Sequence, residues 1–116
     1  MGKINLAITG CMGRMGQQLI KSATKDKSIK LVTLTENKLI KKKIFGIKPE
    51  LNNEKSLGKA NVIIDFTIPK CTFEVLKIAT KLKKKVVIGT TGFTKKEEEL
   101  IKMFSKKIPI LKAGNM

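Results

Sequence analysis

Seven residues near the N-terminus, Gly10-Cys11-Met12-Gly13-Arg14-Met15-Gly16, have the composition of a backbone turn able to meet an anion. Their glycines are spaced GxxGxxG rather than GxGxxG, and such a pattern is weak by itself. Its surroundings strengthen it. The mostly apolar run Ile4–Thr9 precedes it, an amphipathic stretch follows it, and Glu36 stands twenty residues after Gly16 at the end of the next apolar run. In that setting one small residue allows a tight turn and another lets amide N–H groups approach a diphosphate, while the positive end of the following helix favours the negative charge. Glu36 would accept hydrogen bonds from a ribose diol. The same glycines could instead serve only helix-on-strand packing, with Glu36 a solvated strand end.

Other residues could extend such a site. Arg14, the sole arginine, falls in the first helical turn, where it opposes the helix dipole unless an anion is bound; as an exposed surface cation it needs no ligand. Phe66-Thr67 and Gly89-Thr90-Thr91-Gly92 each follow an apolar run, at what would be carboxyl ends of parallel strands. Glycine there permits close approach to a flat ring, and Thr hydroxyls and amides could bond a carboxamide; turn chemistry and capping account for the same residues on spacing alone. Asp65 has no acidic partner and reads as a hydrogen-bonded strand residue. Cys11 reads as a small turn residue, although a helix N-terminus could lower its pKa. Glu97, Glu98 and Glu99 suit a helix start rather than catalysis.

The elements that must position these residues follow from periodicity. Ile4–Thr9 reads as a buried parallel strand, and Met15, Leu19, Ile20 and Ala23 recur at helical spacing over residues 14–24. Leu31–Thr35 is a second strand. Residues 37–59 are rich in Lys and Asn without a sustained period, and read as irregular with at most one short element. Asn61–Thr67 is a third strand, and Pro69 opens a helix whose buried stripe is Val75, Leu76, Ala79 and Leu82. Val86–Thr90 is a fourth strand. Thr94 and Glu97 form a capping box for a helix burying Leu100, Ile101 and Phe104, and Ile108–Leu111 is a last strand. Strands alternating with helices imply a doubly wound parallel α/β sheet of Rossmann type, one domain over residues 1–116.

Composition narrows the chemistry. The 116 residues include no His, so this chain alone assembles no Ser-His or Cys-His nucleophile pair and no imidazole acid. Cys11 and Cys71 are two thiols far apart in sequence, which suits neither a disulfide scaffold nor a metal site, and no metal is expected. The net charge of +16 raises nucleic acid as a partner, but 24 of the 25 basic residues are Lys and they are scattered along the chain, which reads as a solvated surface. No nucleic-acid or membrane partner is expected. No apolar run approaches the about 20 residues of a membrane helix and no cleavable signal is visible, so the expected compartment is the cytoplasm.

Taken together, Gly10 to Gly16, Val62-Ile63-Ile64-Asp65-Phe66-Thr67-Ile68-Pro69, Val87-Ile88-Gly89-Thr90-Thr91-Gly92-Phe93 and Ala113-Gly114-Asn115-Met116 closely resemble the N-terminal domain of the dihydrodipicolinate (4-hydroxy-tetrahydrodipicolinate) reductase family. The resemblance covers essentially the whole chain, and its GTTGF and DFT-x-P blocks are far more specific than the glycine pattern. It implies an enzyme of the diaminopimelate route to lysine that uses NADH or NADPH to reduce a cyclic imine dicarboxylate. It also implies roles by position. Gly10, Cys11, Met12, Gly13, Arg14, Met15 and Gly16 would form the diphosphate turn, and Glu36, with Asn37 beside it, the ribose site. Phe66 and Thr67 would flank the cofactor, and Gly89, Thr90 and Thr91 would meet the nicotinamide and substrate. Ala113, Asn115 and Met116 would fall on the loop leading out of the domain.

Two departures from the family pattern matter. Many relatives carry Arg after the ribose acid, where it can meet a 2′-phosphate; here Asn37 and Lys38 follow, which favours NAD, although Lys38 or Lys41 to Lys43 could attract a phosphate. The family's paired-histidine and lysine motif, its Gly-Thr substrate clamp and its tetramerising sheet belong beyond Met116. The chain therefore reads as stopping early, with no catalytic acid of its own, little or no turnover, and a homotetramer expected only for a full-length chain. Two rivals remain: another Rossmann NAD(P)-dependent amino-acid dehydrogenase fragment, and a non-enzymatic basic module for nucleotides or nucleic acid.

Overall fold

The computed structural model describes residues 3–113. Their order is β1 (Ile4–Thr9), α1 (Arg14–Lys25), β2 (Ile29–Thr35), α2 (Glu54–Leu57), β3 (Val62–Asp65), α3 (Pro69–Leu82), β4 (Lys85–Ile88), α4 (Lys95–Ser105) and β5 (Ile110–Lys112). The strands form one sheet in the order β2-β1-β3-β4-β5, every pair parallel. Short apolar strands joined through helices have no other economical pairing, because each crossover must return the chain to the same edge of the sheet.

Both faces are covered. Ile20 and Ala23 of α1 pack with Leu6, Ile8, Cys11 and Leu34 on one side. On the other, Val75, Leu76 and Ala79 of α3, Leu57 of α2 and Ile101 of α4 pack with Ala7, Ile63, Val86 and Ile88. The chain thus winds one way through α1 and the other way after β2. The reversal falls between β1 and β3, and a crevice opens at the carboxyl ends of strands where the order reverses.

Local chemistry sets the helix boundaries. Pro69 occupies the first turn of α3, where its missing N–H leaves no intrahelical bond unmade. Thr94 and Glu97 cap α4 reciprocally, with the Glu97 amide donating to Thr94 Oγ1 (3.1 Å) and the Thr94 amide to Glu97 Oε1 (2.9 Å). Ile101 is buried as expected. Leu100 is not: it is exposed on α4, because the face that meets α3 is centred on Ile101 and Phe104.

Residues 37–59 hold more order than their composition suggests. The short helix α2 is capped by Asn53, whose Oδ1 accepts from the Ser56 amide (2.8 Å). Ile44 and Ile47 close a two-residue hairpin around Phe45 and Gly46, both with positive φ. Glu50 forms a single parallel bridge to Thr35, donating to the Leu34 carbonyl (2.8 Å) and accepting from the Glu36 amide (3.0 Å). One residue thereby pairs the carboxyl end of the outer edge of β2.

Candidate dinucleotide cleft

The glycine turn is built by three different demands on three glycines. Gly10 leaves β1 with φ +70, and a Cβ there would lie 2.1 Å from the Phe66 carbonyl oxygen, so both conformation and space require glycine. Gly16 is buried inside α1, and its Cβ would meet the Gly10 carbonyl oxygen at 2.3 Å, so the helix sits directly on the turn. Gly13 is different: it is the N-cap of α1 in extended conformation, exposed, with only a 3.3 Å contact awaiting a Cβ. The turn has its own backbone support, since the Gly10 and Cys11 amides both donate to the Thr35 carbonyl (3.0 and 3.2 Å) and the Gly13 amide to the Gly10 carbonyl (3.0 Å).

Glu36 is fixed beside this turn. Its Oε2 accepts from the Met12 amide (3.1 Å) and its Oε1 from the Asn37 amide (3.0 Å). A carboxylate offers about four acceptor positions, so capacity remains on each oxygen for a diol. Two adjoining cavities, of about 250 and 330 Å³, meet at Glu36 and Asn37 and share Asn52, Ile68 and Cys71. Gly10, Gly13, Phe66 and Thr67 line the first.

Beyond Phe66 the next wall is Gly89. A Cβ at Gly89 would lie 2.0 Å from the Phe66 ring, so the ring lies on bare backbone. Thr90 is buried, and its Oγ1 accepts from the Thr67 amide (2.9 Å), joining the loop after β4 to the loop after β3. Gly10, Gly13, Glu36, Asn37, Phe66 and Thr67 are therefore brought together along the carboxyl ends of β2, β1 and β3, while Gly89 and Thr90 lie behind Phe66 and Thr67 and line neither cavity.

The remaining expected residues fall around it. Arg14 and Met15 are exposed at the start of α1, and Arg14 makes no ion pair among the described residues. Met12 is exposed and lines a separate hollow with Gln17, Lys42, Lys43 and Phe45. Thr91 is exposed on the β4 loop, and Ala113 follows β5 with its amide on the Ile88 carbonyl (2.8 Å). Asn115 and Met116 lie outside the described residues.

Cys11 is wholly buried beneath the turn, and burial, followed by the nearby Glu36 carboxylate, pushes its thiol up to about 11. The lowering that a helix N-terminus could supply is outweighed, and Cys11 is a packing residue of the turn. Burial and then Glu74 likewise raise the Cys71 thiol. Asn52, Ile68 and Cys71 are cleft walls that carried no sequence signal for that role. Ile68 lies inside the DFT-x-P block and Cys71 two residues beyond it, and Asn52 sits in the segment without periodicity.

The family model described as "Dihydrodipicolinate reductase, N-terminus" matches residues 4–116. The 4-hydroxy-tetrahydrodipicolinate reductase of Pelagibacter ubique (strain HTCC1062) is 69% identical over 116 residues, which is 100% of this chain and 45% of that protein. The same enzyme of Bdellovibrio bacteriovorus is 38% identical over 116 residues, again 100% of this chain and 46% of its own length. Among solved structures, the dipicolinate-bound dihydrodipicolinate reductase from Paenisporosarcina sp. TG-14 is similar with a TM-score of 0.79 and 27% identity, covering 97% of this chain and 48% of that one. GenD2 from gentamicin A biosynthesis, in complex with NAD, has a TM-score of 0.79 at 12% identity over 99% of this chain and 35% of its own, a likeness of fold alone. The chain spans about half the length of the curated relatives it matches. Four sequence blocks, one sheet order and a model match over nearly every residue agree, and the chain belongs to the dihydrodipicolinate reductase family, matching its N-terminal part.

Proposed function

We propose that this chain is the dinucleotide-holding part of an NAD(P)H-dependent 4-hydroxy-tetrahydrodipicolinate reductase, acting in the diaminopimelate route to lysine. The observation that carries the reading is the conjunction, in one groove at the switch between β1 and β3, of the glycine turn that starts α1 and a pinned Glu36. The groove fits the cofactor: amides at a helix start suit a diphosphate, and a carboxylate with spare acceptor capacity suits a ribose diol. When bound, a reduced nicotinamide dinucleotide supplies a hydride.

The chain's own residues do the holding. The amides of Arg14 and Met15, at the start of α1, would meet the diphosphate, and Glu36 with Asn37 would take the adenosine ribose. Phe66, Thr67, Gly89, Thr90 and Thr91 would orient the nicotinamide, and by the family resemblance Ala113, Asn115 and Met116 would also belong to the cofactor site. Proton donation and recognition of the substrate's carboxylates fall to the part of the relatives' length that this chain does not span. Glu36 favours a 2′-hydroxyl over a 2′-phosphate by simple repulsion, so NADH is the preferred form, with Lys38 and Lys41 to Lys43 the cations able to soften that preference.

Titration of NADH by its fluorescence tests the reading. Saturable binding is expected, and Gly13→Val should abolish it with a folded chain, because Gly13 is exposed with a φ open to valine and a Cβ there meets only the Gly10 carbonyl oxygen, at 3.3 Å, while crowding the turn from outside. Failure of the unsubstituted chain to bind NADH would sink the proposal.

A further inference from the structure

One buried acid has no part in holding the dinucleotide directly. Asp65, the last residue of β3, is fully buried and stands in register between Thr9 of β1 and Ile88 of β4. Its carboxyl accepts from four threonine hydroxyls: Thr9 (2.5 Å) and Thr67 (2.9 Å) at Oδ1, Thr72 and Thr90 (2.9 Å) at Oδ2. These threonines come from four places, namely the end of β1, the loop after β3, the first turns of α3 and the loop after β4.

The chain of contacts runs on towards the groove. Thr90 Oγ1, held by Asp65, accepts from the Thr67 amide (2.9 Å), and the Gly89 amide donates to the Asp65 carbonyl (2.8 Å). The Phe66 ring then rests against Gly89. We infer that Asp65 is a positioning residue: through Thr67, Thr72 and Thr90 its carboxyl sets the spacing of the Phe66-Thr67 and Gly89-Thr90-Thr91 walls, and hence the geometry of the nicotinamide end of the groove. The inference rests on the dinucleotide reading above and deepens it.

Two features weight the effect towards that end. The diphosphate turn keeps its own backbone bonds to Thr35 and Gly10, and Asp65 reaches it through one hydroxyl, that of Thr9, against three on the other side. The loop after β4, by contrast, has Thr90 as its hydroxyl tie to the neighbouring loop, and that hydroxyl is already occupied as an acceptor. A carboxyl is suited to the place because it can accept from all four hydroxyls at once. An amide nitrogen substituted for either oxygen would face two hydroxyls that must turn their protons away, and a buried hydroxyl left without a partner is costly.

The experiment compares NADH with ADP-ribose, which has the same adenosine and diphosphate but lacks the nicotinamide. Asp65→Asn should raise the Kd for NADH at least tenfold while that for ADP-ribose stays within about threefold. Thr72→Val, which deletes one donor at a residue outside the cleft walls, should raise the NADH Kd about fivefold, and Thr72→Ser, which restores the hydroxyl, should bring it back to within twofold. The Thr72 pair decides the matter should Asp65→Asn not fold. Equal loss of both ligands, or a lowered Tm with both affinities unchanged, would overturn the inference and leave Asp65 a structural tie. Absence of NADH binding by the unsubstituted chain removes the dinucleotide reading, and this inference with it; normal NADH binding that is indifferent to Asp65 removes the inference alone.

Discussion

Single residues in the groove have properties that their types alone do not set. Glu36 is the clearest case, since both of its oxygens are spoken for by backbone amides before any ligand arrives. Charged hydrogen bonds are worth about 1.5–3 kcal/mol each, so losing the acid should weaken binding by about tenfold or more. Glu36→Ala is expected to do this to NADH and to narrow the gap between NADH and NADPH, because the repulsion of a 2′-phosphate disappears with the carboxylate. Parallel fluorescence titrations with the two cofactors check it. Cys11 gives a different prediction. Its folded thiol ionises near 11 against an ordinary value of 9.0, so the neutral form is favoured by folding. The associated stability is complete below pH 9 and is lost as pH rises towards 11, where the unfolded chain ionises and the folded one does not. Urea midpoints of the native chain should therefore fall more steeply between pH 8.5 and about 10.5 than those of Cys11→Ala.

At the scale of elements, the junction of β1, its turn and α1 depends on backbone contact. The Gly16 position leaves a Cβ 2.3 Å from the Gly10 carbonyl oxygen, so Gly16→Ala must push the helix off the turn. Overpacking of that kind costs about 1–3 kcal/mol, and the variant should lose stability and NADH affinity together. Gly13→Val, at an exposed glycine whose Cβ position has a 3.3 Å contact in place of 2.3 Å, should lose affinity with a much smaller loss of stability. The contrast separates the packing role from the binding role within one motif, and chemical denaturation beside NADH titration reads both. The helix cap at Thr94 was legible in sequence because it needs only a hydroxyl and an acid three residues apart. Phe45, held with Gly46 in the hairpin closed by Ile44 and Ile47, was not, because a positive φ at a phenylalanine is imposed by the hairpin rather than preferred by the residue.

For the whole molecule the dominant feature is charge. With a formal net charge of +16 and few ion pairs among the described residues, the folded chain repels itself. Screening lengths fall to about 8 Å at physiological ionic strength, so added salt should stabilise it. We expect the Tm to rise between 20 and about 300 mM NaCl, monitored by circular dichroism, in the absence of any ligand. A fall in Tm over that range would mean that attractive surface pairs outweigh the repulsion. Among the described residues no helix is long and apolar enough to cross a membrane.

The amino-acid sequence determined what is local: the glycine turn and its flanking strand and helix, the Pro69 start, the Thr94-Glu97 cap, and the alternation that demands a parallel sheet. Those features depend on side chains within a few positions of one another, so spacing reveals them. Only the tertiary structure decided how Asp65 gathers threonines as far away as Thr9 and Thr90, why Asn52, Ile68 and Cys71 share a wall with Glu36, and that Leu100 faces water. Such meetings follow from the order of strands in the sheet, which brings distant carboxyl ends side by side and which no short-range pattern encodes.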